Sequence, residues 1–232
     1  MGRVDLFTTV HKAIRALIYD LSMMLQTADF TDERARNASL AALEHFLELL
    51  HEHAGYEDTT VFAATHQFEP QIIDILEEEH HQIAAHLDQV HKSIARVKTA
   101  ATDQERIEAG AELNRSTNKF IAFYLGHLAR EEDTVLPATL KYFNDDELMG
   151  MRAVVQRTAT PARFAEWMRW MYPSVNINEL TEMFQTLKSH APPPFYAAMS
   201  QVAHMSLGEL RWRDLQLRAG LTDPNTPGTQ KV

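Results

Sequence analysis

The sequence predicts an all-α protein whose N-terminal part is an up-down-up-down four-helix bundle, and three observations lead there. Glycine is scarce, with 8 residues in 232, and no segment alternates with period two for long. Four stretches carry apolar seams in alternating steps of four and three residues. Two of those stretches are copies: residues 46–65 (FLELLHEHAGYEDTTVFAAT) align without a gap on residues 120–139 (FIAFYLGHLAREEDTVLPAT). A second alignment places His11-x-x-Ile14 on His80-x-x-Ile83.

The first helix is expected from about Val4 to Leu25, with the seam Val4, Phe7, His11, Ile14, Ile18, Leu21, Leu25 and a histidine in one core slot. Thr31-Asp32-Glu33 is a helix start, because acids suit the positive end of the helix dipole. The second helix then carries Leu43, Phe46, Leu50, His53, Glu57, Thr60 and Ala64 on one face. Gln67 to Pro70 reads as a turn, followed by a third seam of Ile73, Leu76, His80, Ile83, Leu87, Val90 and Ile94. Thr102-Asp-Gln-Glu105 is a capping box opening the fourth helix, whose face is Phe120, Tyr124, His127, Glu131, Thr134 and Ala138. The short connections make neighbouring helices antiparallel.

Residues 1–143 therefore form the expected bundle. Beyond about Asn144 the composition changes: all three tryptophans and seven of the ten methionines lie there. Thr160-Pro161, Asn176-x-x-Glu179 and Ser206-x-x-Glu209 read as helix starts, and Pro192-Pro193-Pro194 separates two helices. Residues 144–221 are expected to be four or five short helices packed on the bundle, since no Gly/Ser-rich linker precedes them. Trp and Met are also enriched at surfaces for a partner, a second copy included, but packing is their commoner role. The polar, turn-rich residues 222–232 are expected to be disordered.

A formal charge of -10 and scattered basic residues argue against nucleic acid or an anionic membrane as partner. No run approaches the roughly 18 apolar residues of a membrane span, and the N-terminus lacks a signal-peptide core. Leu6 stands where a myristoylation signal wants Ser or Thr. With no cysteine, thiol nucleophiles, thiolate zinc sites and cysteine-ligated clusters are excluded. The expected location is the cytoplasm.

Residues four apart share a helix face, so His53 with Glu57 and His127 with Glu131 both aim inward. Buried carboxylates without partners cost several kcal/mol and need cations. Imidazole plus carboxylate without sulfur suits iron, manganese or zinc. Six side chains, His11, His53, Glu57, His80, His127 and Glu131, are too many for one ion. Two ions can share them, each taking two histidines and one oxygen from each glutamate. A solvent-derived oxo or hydroxo bridge would then leave an open position on each, which oxygen or nitric oxide chemistry requires.

This ordered set, His, H-x-x-x-E, His, H-x-x-x-E over about residues 1–140, resembles the hemerythrin-like (HHE cation-binding) domain family. The resemblance implies a four-helix bundle with two non-haem irons and both glutamates bridging. Relatives include oxygen carriers, oxygen and redox sensors, an iron-sensing regulator and iron–sulfur repair proteins. Oxygen carriers of the family place a fifth histidine four before the third-helix histidine, where this chain has Leu76. They also place an aspartate five residues after the last histidine, where this chain has Glu132. A step of five lands about 140° off the face, so Glu131 is the better-aimed ligand. Both departures favour the bacterial type and weaken the oxygen-carrier reading.

The expected function is therefore binding of oxygen or nitric oxide, or sensing of iron or redox state. A peroxidase- or oxidase-like di-iron enzyme and an iron–sulfur repair factor stand as alternatives. No general acid or base stands apart from the ligands, which counts against an enzyme. A rival register would use His81 with Glu77 in place of His80. Tyr124, one turn before His127, either hydrogen-bonds a bound ligand or is ordinary core.

Overall fold

The computed structural model describes residues 3–221, apart from the side chain of Gln156. The expectation of disorder for residues 222–232 lies outside the described residues. The described chain is helical with no strand, as glycine scarcity and the seams predict.

Asp5 accepts the amides of Phe7 and Thr8, each at 2.8 Å, so the first helix opens at Thr8 and not at Val4. This helix, α1 (Thr8–Thr27), buries His11, Ile14, Ile18, Leu21 and Leu25 as its seam requires. Asp32 caps α2 (Glu33–Tyr56) by accepting from Ala35 N at 2.7 Å. A π-helical segment (Glu57–Phe62) continues α2 and passes into the short α3 (Ala63–Thr65). After the turn at Gln67, Pro70 begins α4 (Pro70–Thr99). The Thr102/Glu105 capping box opens α5 (Asp103–Tyr142). In the first unit α1 packs against α2 and α5, and α4 against α5. Short links between them make the four long stretches antiparallel neighbours.

The seams follow expectation up to the two glutamates and then shift. Thr60 and Thr134 are half-buried, and the valines one residue on, Val61 and Val135, take the core slots. A step of four from each glutamate keeps an apolar side chain inside. Thr134 meanwhile satisfies its hydroxyl on the Arg130 carbonyl.

The chain divides into two compact units, Met1–Thr158 and Ala159–Val232, later than the expected boundary after residue 143. The reason is α6 (Asp145–Thr158), which is tied to the first unit. Arg3 bonds Asp145 at 2.6 Å and the Phe143 carbonyl, Arg152 reaches the Asp5 carbonyl, and Leu148 is fully buried.

The second unit holds α7 (Pro161–Ser174), α8 (Ile177–His190), α9 (Pro193–Leu207) and α10 (Glu209–Ala219). Its core includes Trp167, Tyr172, Phe184, Met199 and Trp212, so these aromatics are packing within the unit. The Asn176/Glu179 box forms. The expected Ser206/Glu209 box does not: α9 runs on to Leu207, Ser206 bonds back to the Val202 carbonyl, and Gly208 at φ +70° makes the break. No helix of the described residues is long and apolar enough to cross a membrane.

Candidate metal centre

Helical spacing and packing bring the six expected residues together. His53 and Glu57 leave the α2–π junction on one face, His127 and Glu131 leave α5 on one face, and α1 and α4 contribute His11 and His80. Their ligand atoms form two groups, His11/His53/Glu57/Glu131 and Glu57/His80/His127/Glu131. Within each group the atoms lie within 4.8 Å of one another. Both glutamates belong to both groups, which is the arrangement two ions with shared carboxylates need.

The donor atoms themselves test the fit. His11 Nε2, His53 Nε2, Glu57 Oε1 and both Glu131 oxygens are buried without a hydrogen-bond partner. The nitrogens approach carboxylate oxygens, His53 to Glu57 at 3.0 Å and His11 to Glu131 at 3.4 Å, but the angles make no hydrogen bond. Nε2 of His80 and of His127 stand 3.1 Å apart, facing each other. Each unsatisfied buried polar atom costs about 1–3 kcal/mol. Cations between these nitrogens and oxygens would satisfy all of them at once, and a sulfur-free N/O set suits iron, manganese or zinc. The residues fit such a centre.

Around this set the chain builds an outer ring of carboxylates that the sequence reading missed. His11 Nδ1 meets Glu132 at 3.0 Å, and Arg15 grips both oxygens of Glu132 at 2.7 and 2.9 Å. His127 Nδ1 meets Glu79 at 2.9 Å, and Arg130 lies 3.0 Å from the other Glu79 oxygen. His80 Nδ1 meets Asp58 at 2.8 Å. Such partners fix the ring and the tautomer, leaving Nε2 bare toward the centre. The signal for two of them was in the repeat, since Asp58 aligns with Glu132, each directly after a centre-facing glutamate. Glu79 sits three after Leu76 and four before Ile83, in step with the seam.

The other residues singled out in the sequence lie around this site. Glu131 is fully buried among the nitrogens, whereas Glu132 turns to the outer side of His11. The His81/Glu77 register is not the one the fold uses: His81 is exposed beside Glu78 and Glu77 is exposed. Leu76 is core. Tyr124 is buried with its ring 5.8 Å from that of His127. The π turn brings Phe62, five residues after Glu57, back onto the face of Glu57, where it stacks on His80 with ring centres 5.4 Å apart. Its repeat mate Leu136, on regular α-helix, is only half-buried.

Charge in the centre follows from this geometry. Burial alone would lower the His11 imidazole, but the Glu132, Glu57 and Glu131 carboxylates outweigh it and raise it to about 9. His127 behaves alike: burial lowers it, Glu131, Glu79 and Glu57 raise it, and it reaches about 9. Without cations both imidazoles are therefore protonated at neutral pH and serve as counter-ions to the buried glutamates. Since both are raised from 6.5, the stability they give the cation-free fold is complete below pH 6.5 and is lost as pH rises through about 9. Cations must displace the same protons, so affinity is expected to rise over that span, with about two protons released per centre filled at pH 8. Calorimetric titration in buffers of different ionisation enthalpy counts them, and a count of zero would contradict this assignment.

No curated protein and no solved structure matches the chain. A family model does: the hemerythrin HHE cation-binding domain matches residues 3–139, more than half of the chain and the stretch that contains all six converging residues and their outer carboxylates. The chain belongs to the hemerythrin HHE cation-binding domain family.

Proposed function

We propose that this protein holds two non-haem irons through His11, His53, Glu57, His80, His127 and Glu131, and uses them to bind oxygen or nitric oxide or to report iron and redox state. The observation that carries the reading is the pair of His₂Glu₂ groups sharing both glutamates. When bound, such a pair of irons supplies reversible redox chemistry and open coordination positions for a diatomic ligand.

The chain's own residues do the rest. Glu57 and Glu131 hold the two halves together from opposite helices. Glu132, Glu79 and Asp58 keep three imidazoles turned with Nε2 inward. Phe7, edge-on to His11 at 5.5 Å, shields that ring from water, and Phe62 stacks on one face of His80. Burial, with the Glu57 and Glu131 carboxylates, pushes the Tyr124 phenol well above its ordinary value of 10. Tyr124, buried with its ring 5.8 Å from that of His127, is the phenol placed to donate a hydrogen bond to a small ligand.

Purified protein is expected to carry close to two irons per chain by elemental analysis. Mixing its anaerobic ferrous form with oxygen in a stopped-flow instrument then separates the readings. Reversible uptake supports binding, whereas fast irreversible oxidation with turnover would make the protein a di-iron enzyme. One zinc per chain in place of two irons would overturn the proposal. Tyr124→Phe is expected to speed ligand loss while leaving iron content unchanged.

A further inference from the structure

We propose that cations enter and leave the centre past His80, and that Asp58 is the positioning residue that keeps this way closed. The proposal rests on the dinuclear reading above and adds a route to it.

His80 is the least enclosed of the four histidines. Its side chain is 13% exposed, against 0% for His11, 7% for His53 and 1% for His127. Its outer nitrogen leans on Asp58, which is itself 48% exposed. Water and salt compete for that carboxylate far more than for a buried one.

The internal repeat shows what is missing there. His11 aligns with His80, and Glu132 aligns with Asp58, so the two halves hold these histidines in the same way. They differ in the third member. One turn after His11 stands Arg15, whose guanidinium grips Glu132 with two bonds. One turn after His80 stands Ala84, which is exposed and has no side chain to reach Asp58. Glu79, behind His127, has Arg130. Of the three histidines with a carboxylate partner, His80 alone rests on one with no guanidinium behind it among the described residues. Asp58 also sits on the π segment beside Glu57, where the regular α-helical hydrogen-bond ladder is interrupted. When Asp58 lets go, the His80 imidazole is free to turn outward. A cation held by Glu57, His80, His127 and Glu131 then loses one ligand on the solvent side and keeps three behind it.

The test is the kinetics of release. Protein loaded anaerobically with two equivalents of ferrous iron is mixed with an excess of a chromophoric ferrous chelator, and absorbance is followed by stopped flow. Release is expected in two phases of equal amplitude. Asp58→Ala is expected to speed the fast phase about tenfold or more, in line with the loss of an outer-shell partner. Asp58→Glu returns the rate toward that of the parent. Ala84→Arg, which supplies the missing guanidinium, slows the fast phase, and Arg15→Ala speeds the slow one. Circular dichroism of each variant confirms equal helix content, so that unfolding is not read as release. One phase for both irons, or a fast phase that Asp58→Ala and Ala84→Arg leave unchanged, would overturn the route. Fewer than two irons retained by the parent chain would instead overturn the dinuclear reading.

Discussion

Glu57→Ala is expected to cost the protein both of its cations, whereas His80→Ala costs it one. The difference follows from membership: Glu57 stands in both ligand groups and His80 in only one. On the proposed two-ion reading, loss of a shared carboxylate would remove an oxygen from each ion and leave their mutual repulsion less compensated. Apparent affinity should fall roughly a hundredfold or more for the pair, beyond the range typical of outer-shell changes. Elemental analysis after gel filtration against a weak chelator gives the count. Melting curves with and without added iron separate ligand loss from a damaged fold. Equal cation content in the two variants would show that the glutamate is not shared.

The largest stability effect expected away from the centre is at Gly110 on α5. A Cβ built there lies 2.4 Å from Phe30 Cδ2, 2.5 Å from Cγ and 3.0 Å from Cβ. Phe30 is itself buried, and the nearest atoms include the root of its side chain, so the ring cannot simply swing aside. Gly110→Ala should therefore destabilise by about 1–3 kcal/mol through overpacking, despite alanine's better helix propensity. For a unit of this size that is a fall of several degrees in Tm, roughly 2–4 °C per kcal/mol. Gly150 on α6 gives the opposite sign. It is exposed with nothing within 4 Å of a Cβ, so Gly150→Ala should stabilise by about 0.5–1 kcal/mol. Thermal melts of the two variants side by side check both, and a shift of the same sign in each would contradict the packing argument.

Much of the bundle was legible because a ligand pair on one helix needs the spacing that also makes an apolar seam. His53/Glu57 and His127/Glu131 could be read as inward-facing from that spacing alone, and the repeat tied the two helices to one centre. Glu132 was correctly read as off the face, yet its partnership with His11 across to α1 needed three-dimensional packing. Asp58 and Arg15 were within reach of the same alignments, as neighbours of residues already singled out. The π segment has no residue signature of its own, since EDTTVF differs little from its repeat counterpart EEDTVL (131–136), which forms regular helix in α5. The extent of the first unit was missed for another reason. Its last helix is held by Arg3 and Asp5, at the far end of the chain, and no local pattern records that.

The π segment also bears on chain length. A π turn accommodates one residue more than the α-helices on either side of it require. Removing a residue from the middle of α4 or α5 turns everything beyond it by about 100°, carrying the seam and its histidine out of the core. Removing one from Glu57–Phe62 instead absorbs the surplus, and the flanking helices keep their phase. Within the four long stretches this is where the chain can lose a residue and keep the bundle. What it would give up is local: the placing of Glu57 and Asp58 on consecutive positions of one turn, and of Phe62 over His80. The surplus residue serves the candidate metal site and not the fold.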